Sequence, residues 1–146
     1  MTKIFTSIGL MSGTSLDGVD VSLIQSDGES KLNIMENLYI PYTKSLKFGI
    51  KELKSKINRA ADLKIYQRDI SSLEVEITKL QSQVVEEIIK KNKILKKNID
   101  VIGFHGQTIY HSFENKTSKQ LGDGYLLSSL TNLPVVFDFR SKDINQ

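Results

Sequence analysis

The chain opens on strand-like segments. Residues 4–10, Ile-Phe-Thr-Ser-Ile-Gly-Leu, read as a first strand. Residues 11–17 hold Ser12, Gly13, Thr14 and Ser15, all turn formers. Val19, Val21, Leu23 and Ile24 resume a β-rich run, and Ser26, Asp27, Gly28 and Glu29 mark a second turn. Residues 32–40 read as a third strand closed by Pro41, so the start predicts a three-stranded antiparallel meander. The period then changes. Leu46, Ile50, Leu53 and Ile57 recur at helical spacing over residues 44–57. A longer stripe, Ile70, Leu73, Ile77, Leu80, Val84 and Ile88, steps by three and four. That spacing is nearly heptad, but the run is short for a dedicated coiled coil, and a helix covering one sheet face is the better reading.

Residues 98–104 predict a buried strand that empties into His105, Gly106, Gln107 and Thr108. A helix is expected over 124–130 and a last short strand over 134–139. The order βββ-α-α-β-α-β predicts an α/β fold, a mixed sheet with helices packed on it.

Composition narrows the field. The 146 residues are 39% hydrophobic and 25% charged, as in a globular chain with a real core. Lys and Arg number 20 against 17 Asp and Glu, and a formal charge of +3 is too small to imply nucleic acid. Lys90, Lys91, Lys93, Lys96 and Lys97 cluster at the end of a predicted helix, where cations suit the dipole; no aromatics interleave, and they read as a solvated face. The absence of cysteine excludes disulfides, thiolate metal sites and a cysteine nucleophile. Neither a signal peptide nor a bilayer-length apolar run is present, so a cytoplasmic location without membrane contact is expected.

The turn is the first candidate for chemistry. Two glycines, Gly13 and Gly18, free backbone N–H groups to point at an anion, and Ser12, Thr14 and Ser15 add hydroxyls. Asp17 or Asp20 is placed to hold a divalent metal or its water shell. The terminal Gly-Lys-Ser/Thr of a Walker loop is missing, and no G-x-G-x-x-G opens a helix. On composition alone the stretch is equally an ordinary hairpin.

Its order is more specific. Residues 8–20, Ile-Gly-Leu-Met-Ser-Gly-Thr-Ser-Leu-Asp-Gly-Val-Asp, closely resemble the N-terminal signature of anhydro-N-acetylmuramic acid kinases. Residues 102–111, Ile-Gly-Phe-His-Gly-Gln-Thr-Ile-Tyr-His, resemble that family's internal His-Gly-Gln-Thr segment. Gln120-Leu121-Gly122-Asp123 and residues 135–140, Val-Val-Phe-Asp-Phe-Arg, follow in order. The resemblance implies the first lobe of an actin/hexokinase-like (ribonuclease H-like) two-lobe kinase, with ATP and Mg²⁺ in the cleft between the lobes. It implies hydrolysis of the 1,6-anhydro bond of 1,6-anhydro-N-acetylmuramic acid and phosphorylation to N-acetylmuramic acid 6-phosphate, in peptidoglycan recycling. It assigns ATP phosphates to Gly13, Thr14, Ser15, Leu16, Asp17, Gly18, Val19 and Asp20, and the sugar to His105, Gly106 and Gln107, with Asp138 and Arg140 as further cleft candidates. Arg140 suits a bidentate grip on the lactyl carboxylate. His111 has weaker support and reads as a surface residue.

The sequence also departs from the family's pattern. Phe137 stands where a glycine is usual before Asp138. The family's Gly-Gly-Gln-Gly-Ala-Pro stretch and the Asp-Thr-Gly-Pro-Gly segment that carries its general base have no counterpart here. Residues 1–146 are therefore expected to form one N-terminal lobe with no catalytic base, inactive alone. A separate second-lobe polypeptide or a homodimer is the expected partner. The competing readings are a non-catalytic nucleotide- or sugar-binding module and the remnant of a truncated gene.

Overall fold

The computed structural model describes residues 2–145. Three strands open the fold: Phe5–Ser12 (β1), Gly18–Ser26 (β2) and Leu32–Pro41 (β3). They pair antiparallel in sequence order, as the meander pattern predicts. Asp27 Oδ1 accepts from the backbone N–H groups of Glu29, Ser30 and Lys31, which fixes the turn between β2 and β3. Helices Lys44–Lys56 (α1), Asp62–Ile65 (α2) and Gln67–Lys91 (α3) follow. Thr43 caps α1, its side chain accepting from Leu46 N at 3.2 Å. The chain then returns through Val101–Ser112 (β4), Thr117–Leu121 (β5), Gly124–Thr131 (α4), Val135–Phe137 (β6) and Phe139–Ile144 (α5).

The sheet runs β3-β2-β1-β4-β5, and β6 pairs with β4. β4 lies parallel to β1 and to β6, whereas β5 folds back antiparallel on its far half. Ile77, Val84, Val85 and Ile88 of α3 are buried in the same cluster as Ile8 and Leu10 of β1, Val19, Val21 and Leu23 of β2, and Ile102 and Phe104 of β4. The long apolar stripe is thus a sheet cover. Its lysine-rich end is solvated, with Lys91 paired to Glu36 at 3.4 Å and Lys96 to Glu86.

The structure differs from the sequence reading in several places. β1 runs on to Ser12 instead of stopping at Leu10, because Met11 still pairs with Asp20 across the hairpin. β4 begins later than expected and does not empty into a loop at His105; it continues to Ser112 because β5 supplies a partner. β5 itself, Thr-Ser-Lys-Gln-Leu, is nearly all polar and carries no apolar alternation to betray it. The last strand is shorter than expected. Asp138 adopts φ +61°, which breaks the strand, and Phe139 begins α5. The short α2 also escaped the periodicity, being a single turn.

Candidate functional site

The β1–β2 connection is narrower than its sequence suggests, and most of it is tied down. Ser12 is buried at the end of β1. Leu16 adopts φ +59° yet buries its side chain in the core. A left-handed leucine costs about 1–2 kcal/mol. Full burial of its side chain returns about 1.5–3 kcal/mol, enough to hold the turn. Val19 is fully buried as well. Gly18 answers a packing demand from β3: a Cβ there would lie 2.3 Å from the Ile40 carbonyl oxygen. Only Gly13 has the open surroundings that an anion site needs, the nearest atom to a Cβ being Ser15 Oγ at 3.7 Å.

What remains for solvent is the tip. Thr14 and Ser15 are exposed. Leu16 N donates to Gly13 O at 3.3 Å, while the N–H groups of Gly13, Thr14 and Ser15 make no backbone hydrogen bond among the described residues. Successive free N–H groups at a turn form an anion-binding concavity. Asp17 is paired with Lys47 of α1, which with the Ser15 hydroxyl holds its carboxyl below the ordinary value. Asp20 is exposed on β2 and has no side-chain partner among the described residues.

Beside the hairpin, β4 carries a bulge. Leu10 pairs with Phe104 and Ser12 with Gln107, so β4 fits three steps against two of β1. Gly106 sits in it at φ +75°, and a Cβ would lie 2.4 Å from the Leu121 carbonyl oxygen. The bulge separates its neighbours. His105 faces a cleft of about 290 Å³ lined also by Gly106, Lys119, Gln120, Phe137 and Asp138. Gln107 turns the other way and is fully buried.

At the cleft, His105 Nδ1 lies 3.0 Å from Gly106 O, and Arg140 Nε donates to His105 Nε2 at 3.3 Å. A carbonyl only accepts, so these two bonds assign the ring proton to Nδ1. Asp138 accepts from the Ser141 hydroxyl at 2.6 Å. Lys119 is paired with Glu74 of α3 at 2.6 Å. The Phe137 ring also lines the cleft. It packs edge-on to Tyr125, with centroids 5.1 Å apart, and over Gly124, where a Cβ would be 2.2 Å from the ring. Gly124 thus supplies the space that Phe137 fills.

Of the expected residues, His105, Gly106 and Asp138 line the cleft, Arg140 joins them through its bond to His105, and Gly13, Thr14 and Ser15 gather at the hairpin tip. Gln107, Leu16 and Val19 have buried side chains. Tyr42 was missed by the sequence reading. It is 7% exposed, and its hydroxyl lies 2.8 Å from Ser12 Oγ and 3.1 Å from Gln107 Oε1. A lone tyrosine just after a strand offers no pattern that would single it out. His111 is exposed against Phe113, as a surface residue.

Fold and hairpin together are those of a first lobe in the actin/hexokinase-like class of sugar kinases. The model of one family, anhydro-N-acetylmuramic acid kinase, matches residues 5–146. Among curated relatives, the anhydro-N-acetylmuramic acid kinase of Pelagibacter ubique is 46% identical over 145 residues, covering 99% of this chain and 38% of that protein. Those of Gluconobacter oxydans and Agrobacterium fabrum are 42% and 33% identical, over 94% and 99% of this chain. The chain belongs to the anhydro-N-acetylmuramic acid kinase family, and it spans 37–39% of the length of these three relatives.

Proposed function

We propose that this chain contributes the nucleotide-phosphate hairpin and one wall of the sugar cleft to an anhydro-N-acetylmuramic acid kinase. The observation that carries the reading is the row of unpartnered N–H groups at Gly13, Thr14 and Ser15 on a turn whose every other part is anchored. Those groups receive phosphate oxygens of ATP. Backbone donors suit the task because they are fixed before the ligand arrives.

Mg²⁺ fits the residues present. It binds through one or two carboxylates plus nucleotide phosphates, and Asp20 offers a carboxylate without an ion-pair partner among the described residues. Asp17, held by Lys47, serves the turn's shape instead. The ion would neutralise charge on the transferring phosphoryl group. His105, Gly106, Asp138 and Arg140 are the sugar-facing candidates. Arg140 directs its guanidinium toward the lactyl carboxylate of the muramic acid, and His105 steadies that arginine through Nε2. Phe137 gives the cleft an apolar wall for the sugar's C–H face.

The reaction breaks the anhydro bond with water and transfers a phosphoryl group to the sugar. Water attack needs a base within hydrogen-bond reach. Asp17 is engaged by Lys47, Asp138 accepts from Ser141, and Asp123 accepts from Leu126 N at the start of α4. Of these only Asp138 lines the cleft, and the family resemblance assigns the general base to another segment. We therefore predict that residues 1–146 alone bind Mg²⁺-ATP weakly and turn nothing over. Calorimetry of the pure chain with Mg²⁺-ATP, then with the anhydro sugar, checks the binding, and a sugar-phosphate assay checks turnover. Replacing Thr14 by Asp puts a like charge at the phosphate site and is expected to weaken nucleotide binding at least about tenfold. Enzyme-like turnover by the chain alone would overturn the assignment of the base to another segment or polypeptide.

A further inference from the structure

The hairpin and the cleft meet through one buried set of polar groups. Tyr42, at the junction of β3 and α1, and Gln107, just past the β4 bulge, are both buried between them. Gln107 Nε2 donates to Gly13 O at 3.0 Å. That bond fixes the amide's orientation, because Gly13 O can only accept. Gln107 Oε1 then accepts a hydrogen bond from the Tyr42 hydroxyl at 3.1 Å. The phenol oxygen, 2.8 Å from Ser12 Oγ, accepts from that hydroxyl in turn. The backbone of Tyr42 completes the set, its N–H donating to Asp17 O at 2.8 Å. Two residues thus hold the connection at Ser12, Gly13 and Asp17, on both sides of its free N–H groups.

We propose that Tyr42 and Gln107 are positioning residues, a clamp that sets the geometry of the phosphate hairpin and links it mechanically to the His105–Gly106 bulge at the sugar cleft. Nothing in the set is left over: each donor has an acceptor, which is the condition for a buried polar network to specify one conformation. Burial pushes the Tyr42 phenol above its ordinary value, so it remains a donor throughout the neutral range. Gly106 makes the link possible. Its left-handed backbone lets His105 face the cleft while the next side chain but one returns under the hairpin. The clamp's service to phosphate binding rests on the proposed function; its mechanical role does not.

The test uses no ligand. Amide hydrogen exchange is compared between the wild-type chain, Tyr42→Phe and Ser12→Ala, each of which deletes one hydroxyl of the chain of bonds. Expected is an acceleration of about tenfold at the amides of residues 42 and 107, as loss of one buried hydrogen bond implies, with the amides of Ile8 and Ile102 unchanged. The His105 ring resonances should move in both variants, although neither substitution touches that ring. Equal acceleration at all four amides would mean a general loss of stability and overturn the clamp. So would unaltered exchange at 42 and 107, or a His105 signal that stays in place. Should Tyr42→Phe fail to fold, Ser12→Ala carries the same comparison, since it removes only an oxygen. Absence of Mg²⁺-ATP binding by the wild-type chain would count against the phosphate site and leave the exchange result standing.

Discussion

Single residues decide where the backbone can go, and glycines do so twice at this site. Gly13 is open on the side that a ligand would approach, whereas Gly18 is needed because β3 comes too close for a Cβ. Both looked alike as turn residues in the sequence, and only the neighbouring strand separates them. Gly106 is the stricter case. Replacing it with Ala adds a strained φ of +75° to a contact of 2.4 Å with the Leu121 carbonyl oxygen. The expected cost is about 2–3 kcal/mol, read as a lower urea midpoint. The His-Gly-Gln order itself was legible as a motif. That its histidine and glutamine face opposite directions was not, because a bulge flips the alternation on which strand reading depends.

At the scale of elements, periodicity served well wherever one face is buried. The meander, α1, α3 and α4 all follow it, and α3 covers the sheet as its stripe requires. Polar β5 and the one-turn α2 were not legible, since hydrogen bonds hold them and no apolar stripe marks them. The α1–α2 junction depends on such bonding. Asp62 Oδ2 accepts from the N–H groups of Asn58 and Arg59 at 3.0 and 3.1 Å. The bond from Asn58 most of all holds the Asp62 carboxyl below its ordinary value, against the opposing effect of burial. A depressed folded pKa means stability that is complete above the unfolded value of 3.8 and is lost as pH falls through the folded one. Urea unfolding at about pH 6 and about pH 3 should therefore show a smaller acid loss in Asp62→Asn than in the wild type. An equal loss in both would assign the acid sensitivity to other carboxylates.

For the molecule as a whole, the parallel pair β1 and β4 sets the site. The β1–β2 hairpin follows the carboxyl end of β1, and the bulge within β4 lies beside it, so the two candidate segments stand side by side. This is where open α/β sheets place their ligands. The family could be read from the order of residues in the hairpin and in the His-Gly-Gln-Thr segment. The network beneath them could not, because Ser12, Tyr42 and Gln107 are far apart in sequence and meet only through the register of three strands. A buried tyrosine and glutamine thus prepare a surface whose exposed residues are few and small. None of the helices among the described residues is long and apolar enough to cross a membrane.

The central claim is that the braced turn offers its N–H groups to the phosphates of a nucleotide. It is tested most directly by an amide-resolved NMR titration of the chain with Mg²⁺-ATP. The account predicts that the Gly13, Thr14 and Ser15 signals move first and furthest, saturably, and that inorganic triphosphate reproduces the shifts at those positions. Saturable shifts confined to other segments, with the three tip amides unmoved, would contradict it.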